Sequence, residues 1–209
     1  DHALVREAVR CGAELRDGLA VRSVESNRGT VTVRAGNEGT DTAFTASTDY
    51  VVGADGANGI TARAAGLRRR RRVAVAVEVE HPHEWGVGHP ELRPDVMHLE
   101  YGALKRGYAW VFPKGDHLSV GAGVFQPERF SQQHEGGIGA HLKQVVRRYL
   151  DHLEVPYVPE EIRYHAHPIP LWGGKEPLHT RNGRILLVGD AAGLVNPMFG
   201  DGIFHAVRS

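Results

Sequence analysis

At 209 residues with 41% apolar side chains, the chain can build one large domain, or one and a half ordinary ones, without disulfide staples. Lys plus Arg equals Asp plus Glu at 25 each, which excludes a global electrostatic preference for nucleic acid or anionic lipid. No apolar run approaches the roughly 18 residues of a membrane span. The single cysteine, Cys11, excludes an internal disulfide and favours a reducing, cytoplasmic setting.

In chain order, Leu4, Val5, Ala8, Val9 and Cys11 recur at helical spacing and predict a short helix ending at Gly12, with Cys11 as buried packing. Brief β-prone runs at 19–24, 31–34 and 42–45, broken at 27–29 and 36–39, predict hairpin strands. Tyr50-Val51-Val52 then enters a glycine-rich loop, followed by a short helix over 60–65 closed by Gly66. After the arginine run 68–72, strands are predicted at 73–79, 108–112 and 118–124. Ile138, Leu142, Val145, Val146, Tyr149, Leu150 and Leu153 mark an amphipathic helix that covers a sheet and is ended by Pro156 and Pro159. The run Ile185-Leu186-Leu187-Val188 follows the turn at Asn182-Gly183 and reads as a buried strand. The 26 glycines and 11 prolines are dispersed, as in an ordered α/β or α+β protein.

Two places combine an apolar strand, a glycine turn and an acidic residue: Val51-Val52-Gly53-Ala54-Asp55-Gly56, and Ile185 through Gly189-Asp190-Ala191-Ala192-Gly193. Glycine there lets a ligand approach the main chain, and an acidic side chain past a strand can accept a hydrogen bond from a sugar or ribityl hydroxyl. Either alone reads equally well as a simple turn. Together with Gly107-Tyr108-Ala109-Trp110-Val111-Phe112-Pro113-Lys114-Gly115 and the continuation through Asn196-Pro197 to Gly200-Asp201-Gly202-Ile203, they resemble the geranylgeranyl reductase family of FAD-dependent oxidoreductases. The resemblance covers almost the whole chain, weakly over 78–100 and 126–159.

The resemblance implies an α/β fold: an FAD-binding Rossmann-like part at 1–67 and 181–209, and a β-rich, mostly antiparallel substrate domain at 68–180, both incomplete. It implies that Asp190 lies beside the flavin ribityl and phosphate region, with Gly189 before it and Ala191, Ala192 and Gly193 beginning a helix. Pro197, Gly200, Asp201, Gly202 and Ile203 would pass close to the flavin ring, and Asp55 and Gly56 would flank the cofactor. Tyr108, Trp110 and Phe112 would line a cavity for an isoprenoid chain; from alternation alone they read as ordinary core. Two positions depart from the family pattern. Gly59 replaces a serine that could cap the short helix, and Asp201 replaces a glutamate.

The implied reaction is reduction of carbon–carbon double bonds in a polyprenyl lipid or prenyl diphosphate, with FAD as cofactor, NADPH, ferredoxin or a quinol as electron donor, and no identifiable proton donor. An FAD-dependent monooxygenase or halogenase shares both glycine-acid motifs and is the alternative, as is a non-catalytic nucleotide- or membrane-binding module. The arginine run reads as a solvated linker, with peripheral membrane contact as its second reading; no nucleic-acid motif accompanies it. His81 with His83, and His165 with His167, would point the same way on strands, but lack a third ligand at helical spacing, so no metal is expected. No Gly-x-Gly-x-x-Gly is present, and the resemblance implies that this pyrophosphate-binding element precedes Asp1.

Overall fold

The computed structural model describes residues 2–27, 29–37, 43–67, 72–102, 104–127 and 136–209. The opening helix α1 (His2–Arg10) buries none of its residues, and Cys11 is exposed just beyond it, against the expectation of buried packing. Among the described residues no element covers its apolar stripe. Strands β1 (Ala20–Asn27), β2 (Thr30–Gly36) and β3 (Phe44–Thr48) form an antiparallel sheet in chain order. Next come β4 (Val51–Gly53) and the single-turn α2 (Thr61–Ala64), which Gly66 closes at φ +68°.

The largest layer is a five-stranded sheet made of β5 (Arg72–Pro82), β6 (His98–Tyr101), β7 (Gly107–Pro113), β8 (His117–Phe125) and β9 (His165–Leu171), in the order β6-β7-β8-β5-β9. Every neighbouring pair is antiparallel. Strand β6 begins in the 78–100 segment, where the family resemblance is weak and no strand is predicted; its pairing with β7 identifies it. The arginines at 68–71 lie outside the described residues; Arg72 opens β5.

Helix α3 (Gly137–His152) crosses one face of this sheet. Its Leu142, Val146 and Leu150 are fully buried against Val77, Val111, Leu118, Val120, Ala122 and Val124, which forms the main core. The helix stops at Leu153, ahead of the prolines expected to end it. Alternation along the strands then fixes what the opposite face carries, because successive side chains point to opposite sides.

The chain closes with β10 (Ile185–Leu187), α4 (Gly189–Ala192) and α5 (Ile203–Arg208). β10 pairs with β4 in parallel, Ile185 opposite Val51 and Leu187 opposite Gly53, across more than 130 residues of intervening chain. A parallel pair requires such a crossover. The fold is α/β and mostly sheet.

Candidate functional site

Because β4 and β10 run in parallel, their following loops leave from the same end. The Val188 N–H donates to the Gly53 carbonyl at 3.1 Å, holding the two exits side by side. The carboxyl ends of adjacent parallel strands are where open α/β folds place ligands. Gly53 serves packing there: a Cβ on it would fall 2.6 Å from Thr61 Cγ2 and 2.9 Å from a Leu187 methyl, so only glycine lets α2 sit against the strands. Asp55 turns back and its Oδ2 accepts the Thr61 N–H at 2.8 Å. Its carboxylate fills the space above Gly59, where an added Cβ would lie 2.1 Å from Asp55 Cγ. The missing serine at 59 is thereby compensated: Asp55 caps α2 and needs glycine at 59 to do so. Gly56 turns the chain at φ +72°.

On the neighbouring exit, α4 begins at Gly189, earlier than expected, and ends after Ala192; Gly193 is its left-handed terminator at φ +70° and not part of a longer helix. Ala191 and Ala192 are buried, while Asp190 is half-buried, and burial pushes its carboxyl above the usual aspartate range. The Gly189 N–H donates to Ser209 Oγ at 3.1 Å. A Cβ on Gly202 would meet Asp190 Oδ1 at 3.3 Å and Val195 Cγ2 at 3.1 Å, so the turn before α5 lies close against the Asp190 carboxylate.

Residues 196–203 form a tight loop. Asn196 Oδ1 accepts the Met198 N–H at 2.8 Å, the Asn196 carbonyl accepts from Gly200 at 2.9 Å, and Asn196 N–H donates to the Asp201 carbonyl at 2.9 Å. Asp201 Oδ1 accepts the Ile203 N–H at 3.2 Å, so this side chain caps α5. Pro197, Met198, Phe199, Asp201 and Ile203 are exposed.

The aromatic residues lie on the sheet face opposite α3. Tyr108 and Trp110 have ring centroids 5.7 Å apart, and Trp110 and Phe112 stack at 6.1 Å. In register, Trp110 faces Gly121 and Tyr108 faces Gly123 on β8. The indole occupies the room left by Gly121, where a Cβ would be 2.1 Å from Trp110 Cζ2. With Ala74, Ala76, Phe125 and Ile169 they line a cavity of about 280 Å³, whose rim includes Gly200. The Tyr108 O–H donates to the Phe199 carbonyl at 2.5 Å. Burial, then Tyr101 and Asp201 nearby, raise its phenol above the ordinary value, so the proton stays on it.

The structure thus brings together two groups predicted separately: the 108–112 aromatics share one cavity with Gly200 of the 196–202 loop, and Asp190 abuts Gly202. Asp55 and Gly56 sit at the neighbouring strand exit. Among the described residues, Glu78 and His167 are the other titratable residues that line the cavity; the sequence singled out His167 only as a same-face partner of His165, and Glu78 not at all. Alternation puts 74, 76 and 78 on one face of β5, and strand pairing puts that face beside His167 and Tyr108.

The FAD binding domain family matches residues 1–208. Among curated relatives, digeranylgeranylglycerophospholipid reductase 1 from Methanopyrus kandleri is 32% identical, over 99% of this chain and 52% of its own length. Among solved structures, a geranylgeranyl bacteriochlorophyll reductase-like protein from Thermoplasma acidophilum superposes with TM-score 0.76 at 22% identity, over 99% of this chain and 50% of its own. CmlS, a flavin-dependent halogenase, gives 0.71 at 22% identity, covering 99% and 37%. The chain spans between about a third and a half of the length of the first curated relatives it matches. It belongs to the FAD binding domain family, and its sequence relatives there include geranylgeranyl reductases.

Proposed function

We propose that the chain is the cofactor- and substrate-facing part of an FAD-dependent reductase that saturates carbon–carbon double bonds of a geranylgeranyl or other polyprenyl group. The observation that carries this reading is the shared cavity, with an aromatic wall on β7 and the 196–202 loop at its rim, tied by the Tyr108–Phe199 hydrogen bond. Residues 1–67 and 181–209 are assigned to the FAD-binding part and 68–180 to the substrate domain.

FAD fits the residues present. Asp190 is held half-buried at a strand exit against its own preference for water, a feature of functional carboxylates. Gly200 leaves no side chain between loop and cavity, where a Cβ would lie 3.3 Å from the Tyr108 hydroxyl, and Gly202 leaves none between the loop and the Asp190 carboxylate. Gly189, Asp190, Ala191, Ala192 and Gly193 are assigned to the ribityl and phosphate side, with Asp55 and Gly56 flanking. Pro197, Gly200, Asp201, Gly202 and Ile203 are assigned to the ring side. Bound and reduced, FAD supplies hydride.

The protein's own contribution is position and exclusion of water. Tyr108, Trp110 and Phe112 give a rigid apolar wall for a prenyl segment, and their ring faces favour positive charge developing on an alkene carbon. The electron donor is assigned to NADPH, ferredoxin or a quinol. Among the described residues no helix is long and apolar enough to cross a membrane; a cytoplasmic protein that meets the bilayer peripherally is the reading adopted for a polyprenyl lipid substrate.

The test is an anaerobic assay of the full-length gene product, with flavin spectra and product masses, on geranylgeranyl diphosphate and a digeranylgeranyl glycerolipid. A gain of two mass units per reduced bond, matched to flavin reoxidation, is the expected result. Oxygen-dependent hydroxylation or halide-dependent product instead would replace this reading with a monooxygenase or halogenase. Failure to take up FAD, with lipid bound all the same, would favour a non-catalytic module.

A further inference from the structure

Saturating a double bond consumes a proton as well as a hydride, and the cavity wall offers few sources for one. Tyr108 keeps its proton committed to the Phe199 carbonyl. Among the described residues, the other titratable side chains on the wall are Glu78 and His167. In the β5–β9 ladder His167 faces Ala76 and His165 faces Glu78, so Glu78 and His167 are diagonal neighbours on one face. His167 Nε2 stands 3.3 Å from Glu78 Oε1, and Ser119 Oγ donates to Glu78 Oε2 at 3.4 Å.

The surroundings grade from dry to wet along the same face. Ala74 and Ala76 lie at the Gly200 end of the cavity; exposed His165 stands opposite Glu78, and beyond Glu78 comes Glu80, held by His117 Nε2 at 2.7 Å, with Asp116 on the other His117 nitrogen at 2.7 Å. The His167 side chain is 55% exposed while it also lines the cavity, so it connects the apolar interior to water.

We propose that the Glu78–His167 pair is the proton source for the reduction carried out in this cavity, an inference that rests on the reductase reading. The alkene π bond breaks; one carbon takes the hydride, with its electron pair, that reduced FAD supplies. The other carbon takes the proton held between His167 Nε2 and Glu78 Oε1. A neutral imidazole beside a carboxylate is left, and the half-exposed ring recovers its proton from water. Ser119 orients the carboxylate.

The experiment uses the full-length, FAD-loaded protein, with His167→Asn, His167→Gln and Glu78→Gln, and with His165→Asn as the control on the same strand face. Binding of geranylgeranyl diphosphate to the oxidised protein is read by quenching of tryptophan fluorescence, and reduction by single-turnover flavin reoxidation in H2O and D2O. Both His167 variants should lose about 100-fold or more in rate, the scale of a lost general acid, and Glu78→Gln about 10-fold. Binding should stay within about threefold, flavin content should not change, and the wild-type solvent isotope effect should shrink in the variants; His165→Asn should behave as wild type. Rates within about threefold of wild type in both His167 variants would overturn the proposal and leave the reductase reading intact. Loss of binding or flavin alongside rate in all variants would make the pair structural and overturn it too. A wild-type protein that binds FAD and the diphosphate yet reduces nothing sinks both readings together.

Discussion

The two faces of the five-stranded sheet are built by the same strands and do opposite work. Under α3 the face is Val, Leu and Ala, closed and fully buried. Across the sheet it is aromatic rings over glycines, with a glutamate and a histidine at one end. A face meant only for packing would fill the room at Gly121 with a side chain; here that room goes to the Trp110 indole, and the cavity remains above it. Alternation makes such a division cheap, since each strand packs the core with one set of residues and leaves the other set to line the cavity.

The largest loss of stability is expected on the closed face. Leu142→Ala removes a fully buried side chain from α3 and should cost about 2–5 kcal/mol of stability. In denaturant titration of the full-length protein the midpoint should fall sharply, while the folded fraction keeps its wild-type affinity for a prenyl diphosphate. On the open face the balance reverses. Gly121→Ala forces the indole to move, at about 1–3 kcal/mol for overpacking. Its larger effect should be on prenyl binding, read by tryptophan fluorescence. A Gly121→Ala protein that binds as wild type would mean the indole does not shape the cavity.

How much of this could be read from sequence follows from the range of each signal. Helix α3 and strands β5, β7, β8 and β10 were legible because periodicity is local and strong in those segments. β6 was not, since Leu99 and Tyr101 are half of a short edge strand that exists through its partner. The glycine-acid turns were legible as motifs, but the work of Gly53 and Gly59 was not: both are small to admit a neighbour, Thr61 in one case and the Asp55 carboxylate in the other. His165 and His167 drew notice as a same-face pair, yet Glu78, whose carboxylate lies beside His167, is almost ninety residues earlier and brought there only by strand pairing.

Smaller effects sharpen the link between faces and loops. Asp55→Ala deletes the cap on α2 and should cost about 1 kcal/mol in thermal or chemical unfolding. Asp55→Asn should recover most of that, because an amide oxygen can still accept the Thr61 N–H. Tyr108→Phe removes the single hydroxyl contact to the Phe199 carbonyl, an acceptor near solvent, so stability should fall by only about 0.5–1.5 kcal/mol. If the hydroxyl positions the 196–202 loop against the cavity, flavin dissociation from the full-length protein should still quicken measurably.

Asp190→Asn carries the smallest stability effect and the most telling sign. Burial raises the carboxyl in the folded chain above its ordinary value of 3.8, so the folded state binds that proton more tightly than the unfolded one. The favourable contribution is therefore present below the ordinary value, is lost as pH rises through the raised one, and leaves the cost of burying a charge fully in force at neutral pH. Asparagine has no such charge. Unfolding temperatures should be slightly higher for the variant at pH 7, and this advantage should disappear as pH falls below 3.8. FAD retention should move the other way, falling in the variant at pH 7. A side chain whose removal stabilises the protein and weakens the cofactor is kept for the cofactor; a variant less stable at neutral pH would instead make Asp190 a structural residue of the α4 turn.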